Sequence, residues 1–291
     1  MRLSLSITNY SWPGPAARLG TELVNVAQCA EEGGLDTIWV NDHLLQADPA
    51  SSPDAEMLEA YATLGFLAAR TERIRLGAMV SPVTFRPPAV LLKAVTTLDV
   101  LSGGRMWLGL GAGYQGDEAR AMDIPLPPAG ERFERLEETL RLAVQMWSDA
   151  QTAPFEGTHY RLAHPVSNPA PLSRPHPPIL IGGMGERRTL RLVATYADAC
   201  NLFDIPDEGA TVKRKLAVLA AHCAQVGRPF AAIEKTISTR FIPTESPEQF
   251  AHRLDLMTAW GLDHAVVITS GPWSEHAVTQ LAAAAAQAGA S

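Results

Sequence analysis

From Leu3 to the alanine-rich segment Leu281 to Ala286, short apolar runs alternate with stretches whose apolar residues recur at steps of three and four, about eight of each. Few folds accept that alternation. A strand that is apolar almost throughout is buried on both faces, and two parallel strands need a crossover connection long enough to hold a helix. Eight such units close into a (β/α)8 TIM barrel. The predicted strands are Leu3 to Ile7, Thr37 to Asn41, Ile74 to Val80, Met106 to Gly111, Pro178 to Gly182, Ala199 to Phe203, Thr236 to Phe241 and Ala265 to Thr269. Helices between them carry single apolar stripes, such as Leu19, Leu23, Val26 and Ala30, or Leu136, Leu140, Val144 and Trp147. The later stripes are Leu190, Val193 and Ala197, then Leu216, Leu219 and Cys223, then Phe250, Leu254 and Met257.

One stretch breaks the rhythm. Between Thr152 and Pro178 the chain offers Pro154, Pro165, Pro169, Pro171, Pro175, Pro177 and Pro178 and no helical period. It reads as an insertion before strand 5, with a short hairpin around Glu156-Gly157 and then a Pro-rich linker. Because βα units continue on both sides, a single domain over residues 1–291 is expected.

The formal charge of -7 supplies no broad positive field, so neither nucleic acid nor an acidic membrane surface is an expected partner. Cys29, Cys200 and Cys223 lie far apart without CxxC spacing, which argues against a disulfide framework and a structural zinc site. The start of the chain is too short and too alternating for a signal segment, and no apolar run reaches membrane-spanning length, so a cytoplasmic protein is expected.

In such barrels the chemistry sits at the C-terminal ends of the strands and in the loops that follow. After strand 2 come Asn41-Asp42-His43, a carboxylate and an imidazole ahead of the next helix. His43 is suited to exchange a proton near neutral pH and Asp42 to orient a ligand ring; the alternative is a pair that caps the next element. After strand 4, the run Gly109-Leu110-Gly111-Ala112-Gly113-Tyr114-Gln115-Gly116 formally matches a dinucleotide fingerprint, but Glu131 to Trp147 is helical where that unit needs a strand. The glycines are better read sterically, as room for a flat ring against bare backbone bordered by Tyr114; a tightly packed rim is the alternative. After strand 5, Gly182-Gly183-Met184-Gly185 frees amides before a helix, a geometry suited to a phosphate, with Arg187 or Arg188 adding charge. A glycine turn with solvated arginines is the plainer account. The loop after strand 3, Met79 to Pro88, should border the same mouth.

Other candidates are weaker. His159, His164, His176, His252, His264 and His276 lack ligand spacing, so no metal is expected. No GxSxG elbow surrounds Ser81, Ser102 or Ser270.

Taken together and in order, Gly34 to His43, Arg73 to Gly77, Leu101 to Arg105, Gly109 to Gly113, Gly130 to Phe133 and Pro178 to Gly183 resemble the luciferase-like flavin and deazaflavin oxidoreductases, most closely their coenzyme F420-dependent branch. The run Arg188 to Val193 with Tyr196 to Asn201 is similar to a largely uncharacterised F420 subgroup. The resemblance implies hydride transfer between F420, or alternatively FMN, and a small organic substrate, in a homodimer. It implies that His43 lies by the ring as proton donor or hydrogen-bonding partner, that Asp42 meets the ring's polar edge, and that Met79-Val80 is a non-prolyl cis peptide backing one ring face. Ala112 and Gly113 would touch the ring, and Gly182, Gly183, Met184 and Gly185 would hold the phosphate. Sugar-phosphate dehydrogenases of this family carry a glutamate where this chain has Tyr114. That departure leaves His43 and Tyr114 as the catalytic candidates and favours reduction of an activated C=C or C=N bond over sugar-phosphate oxidation. Trp12, Tyr10, Phe85 and Phe203 would make the mouth aromatic if they faced it.

Overall fold

Hydrogen bonding joins the apolar runs into a closed parallel ring in a computed structural model that describes residues 1–48, 51–148 and 153–287. The barrel strands are β1 (Arg2–Ile7), β2 (Thr37–Val40), β3 (Arg75–Ala78), β4 (Met106–Gly111), β5 (Ile179–Gly182), β6 (Ala199–Phe203), β7 (Glu234–Arg240) and β8 (His264–Ile268). Closure is visible at β1, where Leu5 stands opposite Ile38 of β2 on one side and Val267 of β8 on the other. The remaining neighbours pair in chain order, so no barrel strand keeps an open edge.

The helices are α1 (Leu19–Glu32), α2 (Ala60–Ala68), α3 (Pro88–Leu101), α4 (Gly116–Ala121), α5 (Ala129–Trp147), α6 (Thr189–Tyr196), α7 (Ala210–Val226), α8 (Pro247–Ala259) and α9 (Glu275–Gln287). All but the short α4 serve as the barrel's outer layer. Their apolar stripes meet the outward-facing strand residues in one continuous core, while Trp39, Trp107, Leu180, Ala199 and Val266 fill a layer inside the ring. The α5 stripe differs from expectation at one position. Val144 is exposed, and Ala143 with Met146 completes the buried face of Leu136, Leu140 and Trp147. At 3.6 residues per turn, position 143 lies closer to that face than 144 does.

Strand β3 is shorter than predicted. It stops at Ala78, and the next peptide, Met79-Val80, is cis. Beyond it Ser81–Pro82 pairs briefly with Leu110 and Gly111 of β4.

The insertion holds the expected hairpin, with Phe155–Glu156 antiparallel to Arg161–Leu162; its predicted first residue, Thr152, lies outside the described residues. Two buried carboxylates fasten it. Glu138 on α5 accepts the amides of Thr158, His159 and Tyr160, and Asp99 on α3 accepts those of Leu172 and Ser173. A buried carboxylate must find donors, and these loop amides would otherwise be unpaired.

Candidate active site at the C-terminal mouth

The strand ends converge on a cavity of about 570 Å³ at the C-terminal mouth, within the usual range for a small-molecule site. Seven of the predicted site residues line it: Met79, Val80, Ala112, Gly113, Tyr114, Gly182 and Gly183. Ser6 and Thr8 from β1 and its loop, Asn201 from β6, Ser238 from β7 and Ile268 from β8 complete the wall. No charged side chain stands among the lining residues.

The glycines serve two purposes, only one of which was foreseen. A Cβ on Gly109 would lie 1.9 Å from the Ala78 carbonyl oxygen, and one on Gly111 would lie 2.7 Å from Val80 Cγ2. Those two positions are therefore closed by the β3 turn, and they give room to protein rather than to a ring. A Cβ on Gly182 would come within 3.0 and 3.1 Å of the two Val80 methyls from the other side. Val80 is thus clamped between β4 and β5 as part of the cavity's wall. Gly113, at φ +76, and Gly183, at φ +114, adopt backbone conformations that other residues rarely enter, and both border the cavity.

Beyond Gly183 the turn leads into α6. Gly185 sits where a Cβ would fall 2.8 Å from Thr189 Oγ1, and Met184 Sδ accepts the Phe203 amide at 3.4 Å. Met184, Gly185 and Arg187 do not line the cavity; Arg187 is solvent-exposed, and Arg188 lies over the Phe133 ring at 5.6 Å. Thr189 and Phe133 do line it, which joins the turn to the cavity's rim.

Asp42 is placed differently from expectation. Its carboxylate is fully buried and both oxygens are committed: Oδ2 accepts from Ser81 Oγ at 2.6 Å and Arg86 Nη1 at 2.5 Å, and Oδ1 from Arg86 Nη2 at 3.0 Å. Arg86 also reaches Glu59 and stacks over the Tyr61 ring, whose hydroxyl meets Ser81 Oγ at 2.9 Å. Burial, and then the Asp42 charge, push the Tyr61 phenol well above its ordinary pKa, so it stays neutral. A carboxylate this deep needs a cation, and the loop after β3 supplies one. The side chain is a strut between two loops instead of a contact at the ring's edge.

His43, next in sequence, is not among the residues that line the cavity; it meets the cavity through Tyr114, which does line it. Its side chain is 15% exposed and its ring meets Tyr114 edge-on at 6.5 Å. Nδ1 is 2.7 Å from Oε2 of Glu118 in the first turn of α4. The other oxygen, Oε1, accepts the amides of Leu44 at 2.6 Å and Leu45 at 3.1 Å. Burial alone would raise the Glu118 pKa, but the His43 bond and those two amides outweigh it and hold the carboxyl below its usual range.

Of the four aromatics, Phe203 faces the cavity, whereas Tyr10 is fully buried against Trp12, whose indole N–H donates to the Trp273 carbonyl. Glu118 is the residue that motif reading missed. Its only sequence signal was a carboxylate one helical turn beyond Tyr114, on a helix too short to show a period.

A model of the luciferase-like monooxygenase family matches residues 1–290. An F420-dependent glucose-6-phosphate dehydrogenase of Kineococcus radiotolerans is 33% identical over 237 residues, 78% of this chain and 66% of that protein. The chain thus spans slightly under two thirds of this curated relative. Among solved structures, an F420-dependent secondary alcohol dehydrogenase in complex with an F420-acetone adduct superposes with a TM-score of 0.84 at 15% identity, covering 99% of this chain and 98% of the other. An EDTA monooxygenase from Chelativorans sp. gives 0.83 at 17% identity over 100% and 95%. At those identities the likeness is one of fold.

Proposed function

Because the chain belongs to the luciferase-like monooxygenase family, we propose that it is an oxidoreductase dependent on coenzyme F420 that reduces an activated C=C or C=N bond in a small, uncharged organic substrate. The observation that carries this reading is the cavity itself: a largely apolar space with no charged lining, walled on one side by the Met79-Val80 turn. A flat tricyclic ring fits such a space, with Met79 and Val80 behind it and the backbone of Ala112 and Gly113 along it. Gly182, Gly183, Met184 and Gly185 would hold the coenzyme phosphate ahead of α6, with Arg187 nearby. When bound, the coenzyme supplies or accepts a hydride at its ring carbon. With one face covered by Val80, substrate is left the other, toward Tyr114 and Phe203.

The protein's own contribution is placement, exclusion of water and a proton. In this reading His43 delivers or takes that proton from beside Tyr114, whose ring packs against it. Glucose 6-phosphate, named for the K. radiotolerans relative, carries two negative charges that the lining does not meet. Arg86 and Arg135 face a neighbouring cavity and are already paired with carboxylates, and Arg188 lies over the Phe133 ring. Titration of the protein with F420 and, separately, FMN, followed by ligand fluorescence, tests the reading. F420 is expected to bind at least about tenfold more tightly, a difference of roughly 1.4 kcal/mol. Tighter FMN binding with oxygen-dependent turnover would replace it with a flavin monooxygenase.

A further inference from the structure

We infer that Glu118 is the positioning residue for the proton transfer: its carboxylate holds the His43 imidazole in the tautomer that carries hydrogen on Nδ1 and leaves Nε2 as the atom that exchanges the proton with substrate. This rests on the reading of His43 as the proton-exchanging group. An ionised carboxylate can only accept, so the Nδ1 contact at 2.7 Å requires Nδ1 to donate. Glu118 cannot turn away from that task, because its second oxygen is tied to the amides of Leu44 and Leu45, the two residues that follow His43. The same carboxylate therefore clamps the loop and the ring that the loop presents.

In the reducing direction the imidazolium gives its Nε2 proton to the substrate atom beside the one that receives the hydride. The ring returns to the neutral Nδ1–H form, and Glu118 stays ionised throughout. Among the described residues, the charged and titratable groups in contact with the His43 ring are Glu118 on α4 and Tyr114 in the loop after β4; the adjacent Asp42 has its charge answered by Arg86. Of these, Glu118 alone bonds the ring.

The alternative is that Glu118 merely staples α4 to the β2 loop. Glu118→Gln separates the two, since a glutamine oxygen still accepts the Leu44 and Leu45 amides while its NH2 group now donates to Nδ1. Long-range proton–nitrogen NMR on the coenzyme-free protein reads the tautomer directly. Hydrogen on Nδ1 is expected in the native protein and on Nε2 in the variant. With reduced F420 and an enone such as 2-cyclohexen-1-one, the variant should transfer hydride about 100-fold more slowly, with coenzyme Kd unchanged within about threefold. A native ring with hydrogen on Nε2, or a switched tautomer with an unchanged rate, overturns the inference. Failure to bind F420 would instead overturn the preceding reading, and the NMR result would still decide what Glu118 does to the ring.

Discussion

The barrel holds a histidine–glutamate pair at each end, and the two are alike in length and opposite in use. At the N-terminal end His264, on β8, has no exposed surface; Nδ1 is 2.6 Å from Glu234 and Nε2 is 2.5 Å from Ser4 Oγ. Glu234 also meets Arg2, and Asp36, just before β2, takes both Arg2 and Arg75, so ion pairs link the starts of β1, β2, β3 and β7. Every polar atom of that imidazole is occupied. At the C-terminal mouth His43 has one ring nitrogen bound to Glu118 and keeps part of its surface open. A pair whose ring is saturated on both nitrogens can only hold structure together, whereas one with a nitrogen in reserve beside a cavity can do chemistry.

The sharpest way to break this contrast is to remove each ring. His43→Ala should lower the hydride-transfer rate by about 10²- to 10⁴-fold while coenzyme affinity changes little. An unchanged single-turnover rate would take His43 out of the mechanism. His264→Ala should leave the rate per folded molecule alone and cost about 3 kcal/mol of stability, because it strands the Glu234 carboxylate and the Ser4 hydroxyl in the interior. Its pH dependence has a definite sign. Burial pushes the Glu234 pKa up, but the bond and charge of His264, followed by Arg2 and Arg75, outweigh it, so the folded value is depressed. Stability from that carboxylate is then present above its unfolded pKa of about 4.3 and lost as pH falls through the folded value. Urea unfolding should therefore show the gap between native and variant protein narrowing as pH drops below about 4. A gap that widens on acidification would show that Glu234 is not the partner that matters.

The N-terminal end was invisible to sequence reading, and the mouth was only half legible. Strands could be placed because burial on both faces leaves an unbroken apolar run, and the ring followed from repetition. Gly113 and Gly183 were singled out because a glycine marks a strand end locally, and Met79 because the family resemblance implied it; all three line the cavity. Asp42 was given the wrong partner and Glu118 was overlooked for a shared reason: a carboxylate's partner is set by three-dimensional distance, and neither Arg86, 44 residues on, nor His43, 75 residues back, leaves a trace in spacing. His264 looked like an unplaced histidine because Ser4 and Glu234 reach it only once the barrel closes. The glycines of β4 were recognised as steric, yet their neighbour is Val80, fixed by the turn after β3.

Tyr114 sharpens the comparison by the smallest margin, since it bears on whether the mouth holds a second proton donor. It lines the cavity but is 74% exposed, and it touches His43 edge-on rather than through its hydroxyl. Water already reaches such a group, so the phenol gains little as an acid over solvent, and its ring is the part that borders bound ligand. Tyr114→Phe should then change the hydride-transfer rate by no more than about threefold, whereas Tyr114→Ala should weaken substrate binding by about tenfold through lost contact area. A loss of 100-fold or more in the phenylalanine variant would mean that the hydroxyl shares the proton transfer, and the division of labour between a saturated and a half-saturated histidine would no longer account for the mouth on its own.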